Sequence, residues 1–189
     1  MSKTLSPAEE RFMVVRRQGE GDGGVPPPPY QVGGVHLKHV GIRFAPGVAR
    51  RLLPPELDPV DSESGLISVY STASGSGIGA FSSFFAAVAV KGFDAPDGSP
   101  AHYIAAGHYS GVGNAFMRRH YNTNVTEGSS RQFAEGELSF GVGSADDTEL
   151  LRIVLRPAPG DTMPAAGVRN YLGRHPESGT CVFPIAFSG

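Results

Sequence analysis

The stretch "RRHYNTNVTEGSSR", residues 118–131, brings together a carboxylate (Glu127), three cations (Arg118, Arg119 and Arg131), an imidazole (His120), a phenol (Tyr121) and the hydroxyls of Thr123, Thr126, Ser129 and Ser130. That is the inventory of a small acid/base site. Glu127 would serve as general base, and His120 and Tyr121 as proton donors. Arg119 and Arg131 would hold a carboxylate or enolate oxygen. The plainer reading is a helix C-terminus, where Arg118, Arg119 and His120 favour the helix dipole, running into a polar loop.

The other candidate groups are weaker. His36 and His39 stand three apart on a strand pattern and so face opposite ways. His102 and His108 share a face only if their strand is regular, and would then lie about 20 Å apart. Both pairs read as structural or surface histidines, and no Cys/His cluster has zinc spacing, so no metal is expected. The glycine-rich "SGSGIGAF" (74–81) has no basic residue at P-loop spacing and a strand follows it. It reads as a flexible turn beside a cavity.

The elements that must position these residues are short. With 26 glycines and 16 prolines cutting the chain, strands are favoured over long helices. Seven segments are rich in β-formers: 35–44, 65–72, 80–93, 101–109, 131–142, 150–157 and 181–187. "FFAAVAV" (84–90), apolar on both faces, should be a fully buried strand, with Phe84, Val88 and Val90 inside. Asp97-Gly98 should turn a hairpin between the third and fourth segments by supplying positive backbone angles. Two short helices are expected, "PGVARRLL" from Pro46 and "GVGNAFMRRH" capped by Ser110. "SPAEERF" has a capping box of Ser6 and Glu9 with Pro7 at the first helical position. The tract "GEGDGGVPPPPYQVGG" (19–34) must be a loop, either a disordered leader or a lid. The chain therefore divides into an N-terminal helix and leader (1–34) and one β domain (35–189), mainly β, built as a sandwich or barrel.

Composition narrows the partners. A chain of 189 residues is long enough to bury roughly 70% of its unfolded surface. Its 16 basic and 18 acidic side chains nearly balance, which argues against a nucleic-acid or anionic-membrane footprint and for a small, uncharged or weakly polar partner. The single cysteine, Cys181, excludes an internal disulfide and favours a reducing compartment. A charged N-terminus and the lack of a long apolar run point to a soluble cytoplasmic protein.

"ARRLLPPELDPVDSESGLISVYST" (49–72), then "SGIGAFSSFFAAVAV" (76–90) and "AHYIAAGHY" (101–109), resemble the acetoacetate decarboxylase superfamily in the order and spacing of a Leu-Leu-Pro helix end, a strand, a glycine loop with an aromatic, and a long apolar strand. The resemblance runs from about residue 35 to about residue 157. It implies a mostly antiparallel, cone-like closed β-barrel with an interior active site, in a protein that oligomerises with its own kind. It also implies a Schiff-base lysine pair after a proline. When Arg119 is matched to the motif arginine, the pair falls on Thr126 and Glu127, the proline on Val125, and the family's glutamate on Ser83. Both amines are absent. Only Lys3, Lys38 and Lys91 exist in the chain, and none is placed to replace them.

The function expected from these residues is therefore a cofactor-independent enzyme of secondary metabolism, using lyase-, cyclase-, isomerase- or hydrolase-type acid/base chemistry on a small keto or polyketide-like metabolite. Decarboxylation through an imine is not expected. Glu127, His120 and Tyr121 would be catalytic, with Arg119, Arg131, Ser83, Thr126 and Phe81 binding substrate. The alternative is a small-molecule-binding protein on the same barrel.

Overall fold

The computed structural model describes residues 28, 31–76, 79–132, 138–144, 148–155, 166–175 and 179–188. The N-terminal capping-box helix and most of the 19–34 tract lie outside these residues.

Nine strands and two helices are present: β1 (Gln31–Arg43), α1 (Val48–Leu52), β2 (Ser64–Ser76), β3 (Phe81–Val90), β4 (Ala101–Tyr109), α2 (Val112–Tyr121), β5 (Val125–Gln132), β6 (Leu138–Ser144), β7 (Glu149–Leu155), β8 (Ala166–His175) and β9 (Gly179–Ser188). Strand boundaries outrun the sequence pattern at two places. β1 begins inside the tract read as a loop, and β2 continues to Ser76 through half of the "SGSG" turn. β1 and β2 pair in register from Gln31↔Ser76 to Arg43↔Ser64, so each supplies backbone partners that override the other's glycines. Two further strands carry no clear β-former run. β5 is the polar "VTEGSSRQ", the second half of the stretch read as a loop, and β8 is "AGVRNYLGRH".

The sheet is not a closed barrel, and this corrects the expected architecture. Strands β1-β2-β3-β4 are antiparallel neighbours, and β4 then forks. Its C-terminal residues, Gly107 to Tyr109, pair parallel with β5, which leads to β6 and β7. Its N-terminal residues, His102 and Tyr103, pair parallel with β8, which leads to β9. One strand edge cannot carry two continuous neighbours, so the sheet splays into two wings. His39 on β1 and Phe187 on β9 come to 6.3 Å between ring centres, edge to face, while β9 pairs only with β8 among the described residues.

The hairpin joining β3 to β4 forms, but of the Asp97-Gly98 pair only Gly98 has a positive φ (82°). Asp97 instead closes the turn by accepting from the Ser99 N–H and hydroxyl. The Ser110 cap is also corrected. Gly111 (φ 53°) is the N-cap of α2 with no side-chain cap, and the Ser110 hydroxyl accepts from the Ser82 N–H at 2.8 Å.

β3 is the central strand, with Phe84, Val88 and Val90 buried as its apolar pattern demands. Its two faces serve two clusters. On the convex side Val88 and Val90 pack with Ala101, Tyr103 and Leu172 under Ala49 and Leu53 of α1. On the concave side Phe81, Phe85 and Ala87 pack with Ile104, Tyr109, Tyr171 and Phe183, and α2 lies across them with Phe116 and Met117 inserted. Gly173 of β8 lets α2 seat, since a Cβ there would come 2.0 Å from the Tyr121 carbonyl oxygen. No helix among the described residues is long and apolar enough to cross a membrane.

Candidate active site

The concave face is assembled in rows. Leu37, Tyr70, Ser83 and Tyr109 stand side by side across β1 to β4, and His39, Ser68, Phe85 and Gly107 form the next row. A bulge in β4 at Ala105, where the pairing steps from Ala86↔Ala106 to Ala87↔Ile104, reverses the alternation. His102 therefore shares the concave face with Ile104 and Tyr109, while His108, paired with Phe84, faces the other way. Parallel pairing then brings Tyr171 opposite His102, with Arg169 two residues along β8 on the same side.

The rings interlock. Tyr70 stands edge to face against both Phe81 (5.5 Å) and Tyr109 (5.9 Å), and Phe85 is parallel to Tyr109 at 6.3 Å. Phe85 also meets Tyr171 at 5.4 Å, and Tyr171 leads through Phe183 (6.0 Å) to Tyr121, which stacks on Phe183 at 4.2 Å. Hydroxyl groups lie inside this aromatic frame. The Tyr70 and Tyr109 phenols interact with each other, and the Ser83 hydroxyl lies in their row.

Burial decides the protonation states. Desolvation pushes the Tyr70 phenol up to about 12, and raises Tyr109 and Tyr171 well above the ordinary range, so all three stay protonated near neutrality. Desolvation, with the nearby Arg169 guanidinium, pushes His39 and His102 down to about 4, and His102 adds to the effect on His39. The interior thus offers neutral phenol donors and neutral imidazoles. The hydroxyls of Ser68, Ser83 and Tyr171 and the Nδ1 atoms of His39 and His102 are buried without a hydrogen-bond partner in the chain. Such a group costs on the order of 1–3 kcal/mol, and five on one face mark a surface built to meet polar groups from outside the chain.

The structure distributes the sequence-predicted residues over both faces. Ser83 is fully buried in the Tyr70–Tyr109 row, and Phe81 packs on Tyr70, Tyr109 and Phe116. Tyr121 reaches the same frame through Phe183. His120 is half-buried, and its carbonyl accepts from the Cys181 thiol at 3.8 Å. Thr126 is exposed, with its hydroxyl 2.9 Å from His108 Nδ1. Glu127 is also exposed, and its Oε1 accepts from the Gly111 N–H at 2.6 Å, supplying from β5 the cap that α2 lacks. Arg119 is exposed, Arg131 pairs with Gly141 on β6, and the Arg131 side chain lies outside the described residues. Glu127 pairs with Tyr109 across β4 and β5 and so shares the face of Ser83, whereas Thr126 pairs with His108 on the other face.

The residues that sequence reading passed over are Tyr70, Tyr109, Tyr171, Ser68, His39, His102 and Arg169. One signal was present: Leu66, Ser68, Tyr70 and Thr72 alternate along β2, so polar groups share the inward face of a strand that begins with a buried leucine. The β4 bulge and the β8 pairing left no such signal.

Neither described lysine lies on this face. Lys38 is adjacent to the Leu37 row position and so points oppositely, and burial lowers its pKa. Lys91 is exposed in the turn after β3. Among the described residues no three His, Cys, Asp or Glu side chains gather as a metal site.

No protein-family model matches the chain, and no curated protein matches its sequence. Solved structures do match its fold. An acetoacetate decarboxylase from Legionella pneumophila superposes with a TM-score of 0.66 at 12% identity, over 98% of this chain and 77% of its own. A second acetoacetate decarboxylase gives 0.62 at 14% identity over 86% of this chain and 67% of its own. The enduracididine biosynthesis enzyme MppR, complexed with the condensation product of pyruvate and imidazole 4-carboxaldehyde, gives 0.55 at 15% over 85% and 70%. The resemblance carried by the Leu-Leu-Pro helix end and the strand order is thus a likeness of fold, at low identity.

Proposed function

We propose, from the acetoacetate decarboxylase-like fold, that this protein is a small-molecule enzyme whose concave interior does acid/base chemistry on a carbonyl-bearing metabolite without forming an imine. One observation carries the reading: the protonated Tyr70 and Tyr109 phenols converge beside Ser83 in an aromatic, water-poor frame. Two phenol donors aimed at one point stabilise a developing enolate oxygen, because they need no reorganisation and act in a low dielectric. The neutral imidazole of His39, one row away, is the assigned proton acceptor. Phe81 and Tyr121 belong to the walls, and Glu127 is assigned to capping α2 rather than to proton transfer. The MppR complexes, with pyruvate and with its condensation product, support a carbonyl ligand.

The test is α-proton exchange of acetylacetone in deuterated water, followed by NMR. The parent protein should catalyse exchange, and Tyr109→Phe should slow it by roughly a hundredfold with the circular dichroism spectrum unchanged. Exchange indifferent to both Tyr109→Phe and Tyr70→Phe would sink the assignment. Saturable binding of ketones with no exchange in the parent would instead identify a binding protein.

A further inference from the structure

We propose that His39, His102, Arg169 and Tyr171 form an anion-binding site at the β1/β9 end of the concave face, and that it takes a small oxyanion, carboxylate or phosphate, together with a proton. The site lies beside the Tyr70–Tyr109 pair and shares His39 with the proposed activity, but its other members, His102, Arg169 and Tyr171, have no part in that reaction. His102 and Tyr171 face each other across the β4–β8 pairing with ring centres 6.2 Å apart. Arg169 acts electrostatically on His39, His102 and Tyr171 alike, which places one guanidinium within reach of all three. A cleft of about 100 Å³ opens at Arg169, lined also by Asp97, Ser99, Gly167, Val168 and Phe187 among others. Its lining residues Arg169 and Phe187 are the ones that reach the imidazoles, the latter by its ring contact with His39. That volume holds about three water-sized groups, enough for the heavy atoms of a carboxylate.

Three of the side chains, Tyr171, His102 and His39, each hold a buried polar atom without a partner in the chain. Tyr171 is 1% exposed and His102 is 7% exposed, yet the Tyr171 hydroxyl and the His102 Nδ1 meet no donor or acceptor in the chain, and neither does His39 Nδ1. The Pro100 backbone acts on the His102 ring, while its Nδ1 is buried with no hydrogen-bond partner in the chain. The ionisable groups facing the two imidazoles are each other, Arg169 and Tyr171 from β8, and Asp97 from the β3–β4 hairpin; β2 presents Ser68, and β9 presents Ile185 and Phe187. Asp97 is the acid at the rim, exposed, engaged by Ser99 and also stabilised by the Arg169 charge. Desolvation by burial, and after it the Arg169 charge, lowers both imidazoles to about 4 and holds them neutral. An oxyanion reverses that balance: one imidazole takes up a proton, and its Nδ1–H, the Tyr171 hydroxyl and Arg169 then donate to the bound oxygens.

Isothermal titration of the full chain with sodium acetate, and separately with inorganic phosphate, tests this in two buffers of different ionisation enthalpy. The expected result is one saturable site with net proton uptake, its affinity rising by up to about tenfold per unit fall in pH below neutrality. Acetate binding names a carboxylate ligand, and phosphate binding without acetate binding names a phosphate. Arg169→Gln should weaken binding by at least about tenfold, with Arg169→Lys retaining more of it. In the unsubstituted protein, saturation should move the His39 and His102 ring nitrogen shifts toward the protonated form. No saturable binding of either anion, binding without proton uptake, or unmoved histidine shifts overturns the proposal. Tyr109→Phe should leave anion affinity unchanged, so failure here and failure of the proposed activity are distinguishable.

Discussion

Glu127 and the two buried imidazoles show how burial sets what a residue can do. Glu127 is exposed and its carboxylate caps α2 at the Gly111 N–H, so Glu127→Ala should cost about 1 kcal/mol in denaturant-measured stability, the usual worth of a cap, while Glu127→Gln, which keeps an acceptor oxygen, costs less. Neither change should alter acetylacetone exchange. His39 and His102 have folded-state pKa values lowered from 6.5 to about 4. In the unfolded chain they take up protons first as pH falls, so the unfolded state binds more protons through that window. Stability should therefore be fully present above about pH 6.5 and decline toward pH 4, by on the order of 2 kcal/mol for each imidazole. Urea unfolding of the parent and of His102→Gln across this range measures it. An unchanged slope in the variant would remove His102 from the account.

At the scale of elements, the decisive events are a bulge, a fork and a close approach. The bulge at Ala105 turns His102 inward while His108 faces out to Thr126. The fork in β4 lets two parallel partners share one strand edge, and it keeps the sheet from closing. Gly173 lets the C-terminal end of α2 lie directly on β8, where a methyl group would overlap the backbone of Tyr121 and Asn122. Because backbone cannot swing aside as a side-chain tip can, Gly173→Ala should destabilise by about 3 kcal/mol or prevent folding. Gly167→Ala, whose added methyl meets only the Phe187 ring at 3.3 Å, should be far milder. Comparable thermal midpoints for the two variants would show that α2 seats elsewhere.

For the whole molecule, the fold is that of acetoacetate decarboxylase-like enzymes, while the concave face carries phenols, hydroxyls and imidazoles, and the two described lysines lie off it. Borohydride treatment in the presence of acetoacetate or pyruvate should therefore leave the intact mass unchanged. A stable adduct on Lys38, whose amine is already shifted down by burial, would return imine chemistry to this protein and place it on the convex side of the sheet.

The sequence by itself determined the elements whose partners are local or whose pattern is strong. "FFAAVAV" is apolar on both faces and could only be an interior strand, the Asp97-Gly98 turn joins strands adjacent in the chain, and the Leu-Leu-Pro helix end and glycine loop were enough to place the fold. Ser83 and Phe81 sit on that well-marked strand, and both are buried. Tertiary structure decided the rest. β5 and β8 are polar or glycine-bearing and become strands only because β4 offers them unpaired backbone, a gain that no local propensity records. The same long-range pairing made "VTEGSSR" a strand whose glutamate, opposite Tyr109, accepts from the Gly111 N–H, and brought Tyr70, Tyr109 and Tyr171, far apart in sequence, into one frame. Which face a residue takes on a bulged strand depends on a single extra residue, and only the folded register shows where that residue lies.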